Sequence, residues 1–270
     1  MSFQPVVPFG GVAGWAFLNR TRETQQRALD ASPALLRDTD HFVTRIGEIN
    51  SAEELVADRR LLGVALGAFG LEADIDNKYF IRKILEDGTL DPKALANRLS
   101  DKRYLAFSKA FGFGDFDTPN TKLSDFPDKI ISAYRNQQFE VGIGNQDENM
   151  RLAVSLEREL GAVLARDISE NGKWFTIMGT PPLRKVFEAA LGLPASTASL
   201  DIDVQLRTFK DKAARVFGDE TVTQFSDPET QEKLTRLFLV RAEISDASYG
   251  NSSSANALSL LQSFGARLTF

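Results

Sequence analysis

The chain of 270 residues has no cysteine and a single histidine, His41. The first absence removes disulfides, thiolate zinc sites, iron–sulfur clusters and cysteine nucleophiles together. The second removes any metal site built from several imidazoles. No stretch approaches the ~18 uninterrupted apolar residues of a membrane span. The chain holds no Gly-Lys-Ser/Thr phosphate cradle and no Gly-x-Ser-x-Gly nucleophile turn. An excess of positive charge is missing too. The 32 Lys+Arg against 37 Asp+Glu leave a net charge of −5, the opposite of the basic face that nucleic-acid binding uses.

What is present is ordinary for a folded globular chain: 43% hydrophobic and 26% charged residues. A chain this long buries roughly three-quarters of the surface its unfolded form exposes, so no covalent or metal staple is required. No cofactor is expected. The amino-terminal MSFQPVVPFGGVAGWAFLNRTR imitates a signal sequence but lacks a basic start, is interrupted by two Pro and three Gly, and offers no clean cleavage site. It points to a cytoplasmic protein, or to one exported without a cleaved signal.

Helix signals recur from end to end, and strand signals hardly appear. Ser32-Pro33, Asp91-Pro92, Thr180-Pro181 and Asp227-Pro228 each pair a capping oxygen with a Pro suited to a first turn. Ser51 and Glu54 have capping-box spacing. Gly70, Gly88, Gly112, Gly192 and Gly218 each follow an apolar-periodic run and are predicted to stop it. Between these marks the spacing is helical: Leu35, Phe42, Ile46 and Ile49 share one face, as do Leu152, Leu156, Leu160 and Val163. The reading is an all-α, multi-helix bundle of eleven or twelve helices. The 20 Phe, against 4 Tyr and 2 Trp, fall mostly on periodic faces and are predicted to fill helix contacts.

Residues 61–71, LLGVALGAFGL, match 183–193, LRKVFEAALGL, at five of eleven positions. Similar pairings follow at 99–101 with 225–227 and at 107–111 with 234–238. The slipping offset implies short loop insertions between two pseudo-repeated helical units. The resulting division is an arm and first helix at 1–32, a first unit at 33–116, connecting helices at 117–167, a second unit at 168–245, and a linker with an amphipathic segment at 246–270.

Chemical motifs fare poorly. Residues 86–91 imitate a calcium loop, but Lys83, Leu85 and Ala94 occupy positions that should supply oxygens. The Gly142-x-Gly144 pair lacks a preceding strand and a third Gly, and is predicted to be a turn, with Asn145 or Asp147 capping the helix that follows. His41 lies within a periodic helix and is expected at the surface or its boundary, without a catalytic role. The cations near Lys102 to Lys109 alternate with Tyr104, Phe107 and Phe111 as in any amphipathic helix, so no nucleic-acid partner is expected.

An apolar segment lies near each end. Trp15, Phe17 and Leu18 precede a polar stretch, and Leu258, Leu261 and Phe264 follow the linker YGNSSSAN. Either these ends fold back on the body, or these six residues dock into a protein partner's groove.

The string FVTRIGEINSAEELVADRRLLGVALGAFGLEADIDNKYFIRKILEDG, with RLSDKRYLAFSKAFGF after it, resembles an uncharacterised alphaproteobacterial family of unknown function, often encoded near flagellar genes. Asp58, the AFGL at 68–71, Phe80, Ile81 and the segment 99–113 look like its recurring positions, and the likeness covers about 35–245. The resemblance implies no catalytic residues and suggests a flagellar setting. The expectation is a non-enzymatic helical structural or interaction protein of flagellar assembly or export, reaching its place through the cytoplasm or the flagellar route. The alternatives are a cytoplasmic chaperone or regulatory binder of a partner helix, and an enzyme with a carboxylate-lined cleft.

Overall fold

A computed structural model describes residues 3–245 and contains no strand among them. Its helices are α1 (Gly11–Asp30), α2 (Pro33–Ile46), α3 (Ala52–Ala57), α4 (Arg59–Gly67), α5 (Lys78–Asp87), α6 (Leu95–Arg98), α7 (Arg103–Phe111), α8 (Phe126–Gly144), α9 (Glu148–Leu164), α10 (Glu170–Gly179), α11 (Pro181–Leu191) and α12 (Ile202–Phe217). A further helix, α13, occupies residues 228–245. The all-α expectation holds, with more helices than anticipated.

The chain divides into two compact units at boundaries different from those read in the sequence. One comprises Met1–Val6 and Thr21–Gly142, the other Val7–Arg20 and Ile143–Phe270. The segment 117–167 is therefore not a separate connector: α8 belongs almost wholly to the first unit and α9 to the second. The N-terminal arm is likewise shared between them.

In the first unit α2 packs on α4, α3 on α4 and α5, and α5 on α7. The apolar faces read from the spacing are buried, Leu35, Phe42 and Ile46 of α2 and Leu61, Leu62 and Leu66 of α4, and so are Ile81 and Leu85 of α5. Phe107 and Phe111 are fully buried and form a ring chain with Phe69 and Phe126, centroids 5.0–5.5 Å apart. The second unit is organised around Trp174, fully buried and edge-on to Phe187 at 5.6 Å, with Phe225 against Phe187 in turn. The indole N–H, which would be costly to bury unpaired, donates to the Glu220 carbonyl at 2.9 Å.

All five predicted glycine stops have positive φ. Gly88 has a second reason to lack a side chain, since a Cβ there would lie 2.8 Å from the Gly114 carbonyl. Asp115 completes this corner, accepting the amides of Thr89 and Leu90 and the Thr89 hydroxyl. The imitation calcium loop is thus a backbone junction.

Caps follow the sequence in part. Ser51 accepts the Glu54 amide while Glu54 accepts that of Asn50. Asp147 caps α9 and Asp227 caps α13. Ser32 and Thr180 precede helices that start on Pro, yet neither side chain caps; the Thr180 hydroxyl donates back to Thr176. Asp91 binds the Lys93 amide without starting a helix, which begins only at Leu95. Gly142 and Gly144 form the last turn of α8 instead of the expected turn. A Cβ on Gly142 would lie 2.7 Å from the Pro5 ring, so this glycine serves close packing.

Candidate functional site

The segments around Gly70 and Leu99–Phe113 meet at one corner of the first unit. Gly70, at φ +67°, turns the chain out of α4. The Arg103 guanidinium, at the start of α7, donates to the Gly70 carbonyl and also holds Asp101 at 2.7 Å. Next to it the Tyr104 hydroxyl donates to Asp74, and its ring stands edge-on to Phe80 at 5.3 Å. Burial, reinforced by Asp74, pushes the Tyr104 phenol up to about 12. Burial also raises the Glu72 carboxyl, against the pull of Arg103 and of Gln138, which donates to it at 3.1 Å.

Raised acids in a cluster are the pattern of an acid–base site. Here each polar group already has a partner within the unit, and those partners include the backbone at the end of α4. The corner fastens α7 to the α4–α5 turn.

Asp58 behaves alike. One oxygen accepts the amides of Arg60 and Leu61 at the start of α4, and the other meets His41 Nε2 at 2.8 Å. Burial would raise this carboxyl, but the Leu61 amide, His41 and the Arg60 amide outweigh it and hold it below its ordinary value. His41 is therefore a tie between α2 and α4, partly buried at the boundary of the surface. In the second unit Glu170 accepts Lys173, the Val222 amide and the Thr223 hydroxyl. Burial opposes these bonds, which nonetheless bring its carboxyl down to about 2.

A different arrangement occupies the groove between the end of α1, α2 and α8, about 400 Å³ in volume. Asp30, Asp40 and Asp128 line it from three helices, with Arg135 of α8 among them. Gln26 donates to Asp30 at 3.2 Å and to the Arg135 carbonyl at 3.3 Å, which ties α1 to α8. Among the described residues, Arg135 Nε is the one buried side-chain polar atom with no hydrogen-bond partner. None of the three carboxylates forms an ion pair with a described cation. Ile131 is buried in the floor and Val43, 52% exposed, stands at the rim.

Sequence reasoning did not single out these four charged residues. They lie on separate helices and carry no shared spacing, and α8 was read as part of a connector. The residues it did single out lie elsewhere. Trp15 and Leu18 are buried in the second unit, where the Trp15 indole donates to Glu232 at 3.2 Å. For those two the chain follows the fold-back alternative, their apolar surface being covered by the chain itself. Phe17 is half-buried. Leu258, Leu261 and Phe264 lie outside the described residues.

Among the described residues, no three His, Asp or Glu side chains gather closely enough to hold a metal ion. No described helix is long and apolar enough to cross a membrane.

A family model described as "Protein of unknown function (DUF1217)" matches residues 68–230, more than half of the chain but less than the expected 35–245. A protein from Agrobacterium tumefaciens, solved by X-ray crystallography, is similar in fold. It shares 24% identity at a TM-score of 0.69, covering 90% of this chain and 99% of its own. No functionally curated protein matches.

Proposed function

The chain belongs to the DUF1217 family of proteins of unknown function, and from that premise we propose that it acts through its surfaces, as a non-enzymatic structural or interaction protein. One observation carries this reading. Three groups whose ionisation the fold shifts, Tyr104, Glu72 and Glu170, are engaged with the chain's own amides and side chains, where a catalytic site would direct them at an open cavity. A second support is the outward face of α13, where Val240 and Ile244 are 42% and 64% exposed in consecutive turns.

The setting we propose is bacterial flagellar assembly or export, on the strength of the gene neighbourhood that the family resemblance suggests. We also propose that the two halves descend from a duplication. Supporting this, a Ser-capped helix, a one-residue break, a helix closed by Gly-Leu and a short turn occur at 51–74. The same succession occurs at 169–199.

The test is co-purification from the native cell with mass spectrometry, beside motility of a deletion strain. Flagellar components in the eluate and impaired swimming are expected. Absence from flagellar fractions with intact motility would overturn the flagellar setting.

A further inference from the structure

We propose that the outward stripe of α13 is the docking site of the chain's own segment 257–268, which returns along it antiparallel. This goes beyond the interaction role proposed above and holds whether or not that role does. The argument starts from a helix with two apolar faces. Inward, Leu234, Phe238 and Leu239 are buried. Outward, Leu237, Val240 and Ile244 follow one another at intervals of three and four, and Val240 and Ile244 are open to solvent. A surface helix keeps one apolar stripe, and a second stripe calls for a second cover. A groove of about 570 Å³ continues this stripe toward the start of α13, lined by Pro228, Glu229, Glu232, Lys233, Arg236 and Leu237. All six belong to α13, so no other described element walls the groove.

The chain itself supplies a match. Ala257, Leu261, Phe264 and Leu268 recur at intervals of four, three and four. Ile244, Val240, Leu237 and Lys233, taken in the opposite direction along α13, have the same intervals. Laid antiparallel as helices, the two stripes meet in register: Ala257 beside Ile244, Leu261 beside Val240, Phe264 beside Leu237 and Leu268 against Lys233. Lys233 suits that last place, because its ammonium is turned to the Val216 carbonyl at 2.7 Å and to the Phe217 ring, which leaves its methylene stem to the groove. The eleven residues 246–256 exceed the ~2–8 that a reversal between packed helices takes. Of residues 247–270 only Arg267 is charged, so the apolar face is covered without burying charge, and this register sets Arg267 within a turn of Glu232. A segment joined through so short a link acts at an effective concentration of about 1 mM, which a free occupant would have to exceed. A partner that uses this face therefore displaces the segment.

Because the chain has no cysteine, one introduced thiol reports on the face. Val240→Cys in the full chain is reacted with N-ethylmaleimide and followed by intact mass, alone and in the Leu261→Asp/Phe264→Asp background. The expected result is a reaction about tenfold slower in the chain with Leu261 and Phe264 intact, the protection that a cover worth about 1.4 kcal/mol gives. Val43→Cys, an exposed position on α2, should react at the same rate in both backgrounds. A second readout leaves Phe264 in place: Val240→Cys/Leu261→Cys should close a disulfide within one chain on mild oxidation, and Val43→Cys/Leu261→Cys should not.

Equal rates for Val240→Cys in the two backgrounds would overturn the proposal. So would protection that rises with protein concentration, or a disulfide formed only between chains, either of which would assign the face to a second copy. Thiol protection together with a co-purification that yields no partner would leave the docking in place and remove the interaction role. Partners captured by a chain whose thiol is unprotected would do the reverse.

Discussion

Asp58 links a helix start to a neighbouring helix through one carboxylate. Its ionised form is favoured in the folded chain, so the stability it contributes is present above the ordinary value of 3.8 and is lost as pH falls through its lower folded value. Asp58→Ala is expected to cost about 0.5–2 kcal/mol near neutrality. The deficit should shrink as acid titrates the parent, which urea unfolding at pH 7, 4 and 3 would show. Gly88 is the more severe position, since a side chain there meets both a positive φ and the Gly114 backbone. Gly88→Ala should lose more stability than Gly218→Ala, whose Cβ would meet nothing within 4 Å; the strained φ alone costs about 1–3 kcal/mol. The glycine stops could be read in the sequence because a left-handed residue closing a helix is a local event. The His41–Asp58 pair could not, since nothing local ties residues 17 apart.

At the level of elements, the second unit depends on Trp174 and Glu170, both on α10. Trp174→Ala would leave a large cavity among Phe187, Phe209 and the Glu220 carbonyl, at an expected cost of about 3–5 kcal/mol by chemical denaturation. Glu170 clasps the turn at 222–223. With its carboxyl at about 2 instead of 4.5, its contribution is complete above about pH 5 and disappears toward pH 2. Glu170→Gln should therefore lower the melting temperature at pH 7 and leave it nearly unchanged at pH 2. Helices were legible because one apolar face every 3.6 residues survives any choice of partner. Their beginnings were less so. Asp147 and Asp227 cap as expected, whereas at Ser32 and Thr180 the Pro starts the helix without help from the side chain. The groove of Asp30, Asp40, Asp128 and Arg135 was invisible because it exists only once three helices come together.

For the whole molecule, the acidic balance sets behaviour in solution. With a net charge of −5 and an isoelectric point near 5.2, solubility should pass through a minimum close to that pH, visible as a scattering maximum in a pH series. The division into units was the least legible feature. Internal similarity placed the boundaries by resemblance between segments. The compact units instead follow contacts such as Trp15 with Glu232, 217 residues apart. That pairing bears on synthesis. Everything in the first unit's described part has left the ribosome once Gly142 is clear of the exit tunnel, whereas Trp15 waits for a further 217 residues to be made before it meets Glu232. Over that interval the nascent chain carries a bare indole, a hold for a ribosome-bound chaperone and a hazard when elongation stalls.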